Sequence, residues 1–323
     1  MARHPIRSSI WSAALMTAVL FLHPGPLTAQ RGRGGQSDNL RQATQFIRDG
    51  QSDQALAAVR RELQANPDST SAAGLLDTLG QGAEARRIYQ RQIDAAPDAR
   101  AKADAQRAMA MSWGFEGDCA NTMKYEQMVI DYWKTRETAE PQNAFYQEGE
   151  MANEGARICV DAGDLDTGEH WYRMGRDLGL KEPGNQTHPK SLWDYRLAHA
   201  LGRIAARRGD AAEARRQIAA ARQALDGDPD MAQQQERFFP YLTGYVALYL
   251  GDLKTAEADL TRAVELPGNQ NDPFMRCLLG MTWEKLGKAD EAKAAYEQAY
   301  RQATAHNPPA AFARRFVREK LGG

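Results

Sequence analysis

The sequence predicts an all-α chain, a right-handed α-solenoid of about seven helical hairpins with a C-terminal capping helix. Composition is the first observation: the 323 residues include 54 Ala but only 26 aromatic residues. Alanine is the best helix former, whereas strands favour β-branched and aromatic residues, so a β-sandwich or barrel is disfavoured. The turns are the second. Glycines at 50, 80, 117, 163, 209, 251 and 287 each separate two helical-looking runs, and four are followed directly by Asp118, Asp164, Asp210 or Asp252. A left-handed glycine closes one helix and the aspartate caps the next. Register is the third. With each glycine at position 15 of a unit, position 8 is Ala43, Ala73, Ala110, Ala156, Gly202, Gly244 and Gly280, all Ala or Gly. Position 20 is Ala55, Ala85, Thr122, Gly168, Ala214, Ala256 and Ala292, again small, and position 24 is apolar or aromatic except at Glu126. Small residues facing one another let the two helices of a hairpin approach closely.

Taken in order, residues 1–29 read as a secretory signal peptide: Arg3 and Arg7 precede an apolar run from Ile10 to Leu22, which Pro24, Gly25 and Pro26 break. The run is too short to span a hydrocarbon core of about 30 Å, so no membrane span is expected after cleavage near Ala29. Residues 30–37 (QRGRGGQS) have no apolar residue and read as a flexible linker. The repeat array follows over 38–306. Its units lengthen where insertions rich in Pro, Gly, Asn or charge fall at Lys134 to Asn143, Lys181 to Lys190 and Asp226 to Ala232. Residues 307–323 form the cap: Asn307, Pro308 and Pro309 stop one helix, and the next places Phe312, Phe316 and Val317 on one face, to cover the last hairpin with a charged outer side.

The 41 Lys and Arg nearly balance the 42 Asp and Glu, which excludes the basic footprint of a nucleic-acid binder. None of the histidines His170, His188, His199 or His306 has metal-ligand spacing, and phosphate-loop, nucleophile-elbow, dinucleotide and haem motifs are absent from the sequence. No cofactor or catalytic residue is expected.

The sequence resembles the tetratricopeptide repeat family. The unit LLGMTWEKLGKADEAKAAYEQAY, from Leu278 to Tyr300, carries the likeness at Leu279, Gly280, Trp283, Gly287, Ala292, Tyr296 and Ala299, and Asn66-Pro67 sits where the family ends a unit. The chain departs at position 4, where the family's large residue is replaced by Asn39, Ser69, Gln106, Ala152, Ala198, Pro240 and Arg276. The resemblance implies first helices that line a concave groove through positions 2, 5, 9 and 12 or 13. Those positions give a cationic wall (Arg196, His199, Arg203, Arg207, with Asn153 and Arg157 beside it) and an aromatic wall (Phe238, Tyr241, Tyr245, Tyr249). Such a groove suits an extended peptide offering carboxylates and apolar side chains. The same stacking would put Cys119 and Cys159 at one end of the array, where they form either a disulfide or two buried thiols; Cys277 reads as core.

The function expected from these readings is a non-catalytic protein–protein interaction scaffold of the cell envelope, exported and holding another envelope protein or peptide. A binding module for a cell-wall glycan or small ligand, and an accessory subunit of an envelope enzyme complex, are the alternatives.

Overall fold

The structure, a computed structural model, describes residues 36–184 and 187–321. The expected signal peptide and all of the expected linker but Gln36 and Ser37 lie outside these residues. Among them are sixteen α-helices, one 3-10 turn and no strand. Seven hairpins follow in order: α1 (Asp38–Arg48) with α2 (Ser52–Ala65), α3 (Thr70–Thr78) with α4 (Gly82–Asp94), α5 (Ala99–Glu116) with α6 (Cys119–Lys134), α7 (Pro141–Ala162) with α8 (Leu165–Gly179), α9 (Lys190–Arg207) with α10 (Ala211–Asp226), α12 (Phe239–Leu250) with α13 (Leu253–Glu265), and α14 (Pro273–Lys285) with α15 (Ala289–Gln302). A final helix, α16, spans Pro308–Leu321. No helix among the described residues is long and apolar enough to cross a membrane.

The third insertion is helical rather than a loop. Asp228 caps a short helix, α11 (Pro229–Gln235), by accepting from the Met231 amide at 3.1 Å, and the 3-10 turn Glu236–Phe238 leads into α12. Proline at a first helical position after an aspartate cap is itself a helix-start signal.

The hairpin turns follow from the sequence. All seven turn glycines have positive φ, from 72° at Gly117 to 101° at Gly163. Asp118, Asp164, Asp210 and Asp252 each accept a backbone amide three residues on, satisfying an orphan donor of the following helix. The small residues touch as expected: a Cβ on Gly280 would lie 3.3 Å from the Ala292 carbonyl, and one on Gly168 would lie 3.1 Å from that of Ala156. The closest approach is between α7 and α8, where a Cβ on Gly149 would lie 2.8 Å from the Gly175 carbonyl and 2.5 Å from the buried ring of Trp193. Alanine is favoured over glycine in a helix by about 1 kcal/mol, yet neither a backbone carbonyl nor a fully buried indole can yield. We expect Gly149→Ala to lower stability by roughly 1–2 kcal/mol in urea unfolding, the overpacking cost exceeding the propensity gain.

First helices also pack on first helices, α1 on α3, α3 on α5, α5 on α7, α9 on α12 and α12 on α14, which makes them an inner layer. Between α7 and α9 the two stand further apart. The last helix caps the seventh hairpin as expected and reaches further. α16 packs on α14 and α15, but also against α3, α5 and α7, and α1 touches α15, so the array closes on itself. Met111, Phe115 and Ile158 from the third and fourth hairpins join Cys277, Tyr296 and Val317 in one apolar cluster. His306 sits 2.9 Å from Asp77 and stacks on Phe115 at 5.4 Å, while Arg315 donates to the Asp161 carbonyl at 3.1 Å. Not every charge of α16 faces outward: Arg314 is buried, donating to the Ala303 carbonyl at 2.9 Å with its guanidinium 3.9 Å from the Tyr300 ring.

Cys119, at the start of α6, is disulfide-bonded to Cys159 near the end of α7, with Cα atoms 4.7 Å apart; Cys277 is a buried free thiol. Also on α7, Glu148 is fully buried, and burial with Glu137 beside it raises its carboxyl to about 7 against the opposing pull of Lys134 and Lys181. The native protein thus holds a proton that the unfolded chain has already lost above its ordinary carboxyl range. Stability from this group is present at low pH and withdrawn as pH rises through about 7. Glu148→Gln should therefore raise stability by roughly 1–3 kcal/mol at pH 8 and change it little at pH 4, in urea melts at both pH values.

Candidate binding site

The inner layer collects side chains from four first helices where α7 and α9 part. From α7 come Glu150, Asn153, Glu154 and Arg157, whose spacings of three and four put them on one helix face. From α9 come Arg196, His199 and Arg203 by the same spacing, from the 3-10 turn and α12 Phe238 and Tyr241, and from the start of α14 Asp272, Phe274 and Met275. Tyr172 of α8 and Pro308 of α16 complete the lining of a cavity of about 80 Å³.

Seven of the ten expected groove residues thus meet at one place: Asn153, Arg157, Arg196, His199, Arg203, Phe238 and Tyr241. Arg207, Tyr245 and Tyr249 lie beside it, with the Arg207 guanidinium 5.4 Å from the Tyr249 ring and Tyr245 and Tyr249 4.6 Å apart. The expectation of two facing walls is corrected. The cationic and aromatic rows pack against each other, and His199, Arg203, Phe238, Tyr241 and Tyr245 are buried. Arg203, only 5% exposed, donates to the Tyr241 hydroxyl at 2.9 Å, the Tyr172 hydroxyl at 3.1 Å and the His199 carbonyl at 3.3 Å. The aromatic row continues into the core, Tyr241 and Tyr245 lying 5.8 and 6.5 Å from Phe274. Asn153, Arg157, Arg196, Arg207 and Tyr249 stay half-buried.

Most charges around the cavity are paired. Arg196 bridges α9 to Glu150 of α7. Arg107 of α5 holds Glu154 at 2.6 Å, and Arg157 lies 3.7 Å from Asp161 and 4.6 Å from the Phe274 ring centre. Burial raises the Asp161 carboxyl, and Arg157, Arg203, Arg207 and Arg315 pull it back. Burial, then the charge of Arg203, pushes His199 well below its usual range, so its imidazole is neutral at pH 7. Burial pushes the Tyr241 hydroxyl up to about 12 despite Arg203, leaving it a neutral donor. Behind Arg107, the fully buried Glu126 is raised well above the carboxylate range by burial and by Glu154.

Sequence reasoning missed Tyr172, Phe274, Asp272 and the carboxylates. Tyr172 at position 24 read as a seam residue, but a readable signal did exist for one pair. Glu150 and Arg196 both stand at position 2 of consecutive units, 46 residues apart, and join across the gap. Comparing charges at equal positions of neighbouring units would have found this.

Residues 275–306, within α14 and just past α15, match the family model of the tetratricopeptide repeat. Among solved structures, the P58(IPK) TPR domain is similar over 88% of this chain and 88% of that one, at 12% identity and a TM-score of 0.21. No curated protein matches the chain.

Proposed function

We propose that this protein is a non-catalytic interaction scaffold of the cell envelope, which holds another envelope protein or an extended peptide on the inner face of its hairpin array. The observation that carries the reading is the inner layer itself. Hairpins of tetratricopeptide type place Asn153, Arg157, Arg196, Arg207 and Tyr249, all only partly exposed, around one place; with Arg157 and Arg196 already held by Asp161 and Glu150, Arg207 and Tyr249 are the part of this rim suited to a partner's carboxylates and apolar side chains. The apolar, Arg-led segment at residues 1–29 supports export, as does a Cys119–Cys159 disulfide, which persists in oxidising compartments.

Burial decides how to test it. Reversing the charge of Arg203 would leave an acid against Tyr172 and Tyr241 and unfold the site, so the test belongs to the rim. Arg207→Ala with Tyr249→Ala should abolish capture of cross-linked partners from an envelope fraction while the melting temperature shifts by no more than about 5 °C, the residues being half-buried. An unchanged set of captured proteins would reject the inner face as the docking surface.

A further inference from the structure

Arg203 stands apart from the guanidiniums that line the cavity with it or hold its acids. Arg107, Arg157 and Arg196 each have a carboxylate within ion-pair distance, but among the described residues Arg203 has none. Its charge feels Asp161 beyond ion-pair contact, and a buried guanidinium with no carboxylate touching it is costly. Buried Arg314 also lacks a carboxylate, but it faces the Ala303 carbonyl at the end of α15, where the helix dipole offers negative charge. The carbonyl that Arg203 bonds, that of His199, lies within α9 rather than at a helix end, and Arg203 lines a cavity.

The hydrogen bonds there are arranged for an acceptor. The Tyr172 and Tyr241 hydroxyl oxygens accept from Arg203, so each hydroxyl keeps its own proton to donate, and Arg203 has used three of its five N–H groups. No acceptor for those two hydroxyl protons occurs among the described residues. The lining acids do not fill that role. Glu150 is held by Arg196, Glu154 by Arg107, and Asp272 caps α14 by accepting from the Met275 amide at 2.9 Å. The lining also holds the apolar side chains of Phe274 and Met275.

Size selects the class of occupant. At about 80 Å³ the cavity is smaller than one of about 150 Å³ that admits benzene, and an extended peptide cannot enter it. We propose that the cavity between α7 and α9 binds a small free monocarboxylic acid of about four to six heavy atoms, its carboxylate taken by Arg203 and the Tyr172 and Tyr241 hydroxyls and its alkyl end by Phe274 and Met275. The cavity shares Asn153, Arg157 and Arg196 with the rim, whereas Arg207 and Tyr249, the two residues replaced in the docking test, lie outside its lining.

Titration calorimetry of the full chain in a carboxylate-free buffer, with acetate, propionate and butyrate as probes, tests this. One-site binding is expected, with a dissociation constant of about ten micromolar to one millimolar for a ligand this small. Tyr172→Phe and Tyr241→Phe keep the rings and should each weaken binding about tenfold or more. In the wild-type protein, which needs no variant to fold, propionate should shift the labelled Met275 methyl resonance, assigned by its loss in Met275→Leu. Absence of saturation below about 10 mM, or equal affinity in the double Phe variant with its fold intact, would overturn the proposal. So would a Met275 shift produced only by a short peptide's terminal carboxylate. Partner capture measured in parallel separates the two readings: capture without acid binding removes this inference alone, and acid binding without capture removes the scaffold reading alone.

Discussion

Asp77→Ala should lower the stability of the array by about 3–5 kcal/mol, the largest effect expected of any single side chain here. Asp77 is 1% exposed on α3 and collects donors from three other parts of the chain: the Ser112 hydroxyl of α5 at 2.6 Å, the Tyr89 hydroxyl of α4 at 3.1 Å, and Nε2 of His306, just before α16, at 2.9 Å. Removing the carboxylate orphans all of them in a dry site, at about 1–3 kcal/mol each before relaxation or entering water reduces the sum. Asp77→Asn keeps one acceptor oxygen and should lose no more than about half as much. The His306 contact spans 229 residues, so it is also where the array closes. His306→Ala should leave the second hairpin folded but speed hydrogen exchange over 308–321, because α16 loses its tie to α3 while keeping its packing on α14 and α15. Urea unfolding and exchange mass spectrometry read both. A loss below about 1 kcal/mol for Asp77→Ala would mean that closure is held elsewhere.

That closure was not legible in the sequence, whereas the hairpins were, and the difference is one of range. A turn glycine and its capping aspartate act within four residues, and the small residues at positions 8 and 20 meet within one hairpin, so Gly209-Asp210 or Gly280 with Ala292 can be read directly. The contact between Asp77 and His306 has no local signature: an acid inside a predicted helix and a histidine before Asn-Pro-Pro look like surface residues until the array is bent round. The binding residues failed for another reason. Phe238, Tyr241, Tyr245 and Tyr249 recur at three and four residues, and that period is the same whether a helix face lines a groove or packs on the next helix. Which it is depended on Phe274 and the start of α16, contributed by a hairpin and a cap whose approach no spacing encodes. Glu126 was the one charged residue at position 24, and that exception marked a real departure, a fully buried carboxyl inside the seam that burial raises well above its ordinary range.

Opening the Cys119–Cys159 bond is the second large effect expected, about 4 kcal/mol in the chain-entropy account for a cross-link closing 40 residues. Cys119→Ser is the variant to use. Cys119 is half-buried, whereas Cys159 is fully buried and a serine there would add the cost of an enclosed hydroxyl. The thiol count sets the premise: the unreduced, denatured protein should show one thiol, Cys277, and three would remove it. Where the loss appears then tells how the array holds together. In an open stack each hairpin meets only its neighbours, so weakening the third and fourth hairpins should split unfolding into separate phases. Here α16 ties hairpins two, three and four to the seventh, and the bond lies inside that closed circuit. Cys119→Ser should therefore move a single urea transition to lower midpoint without splitting it. Adding His306→Ala, which breaks the tie, should split the transition into two, while His306→Ala with the disulfide intact should not.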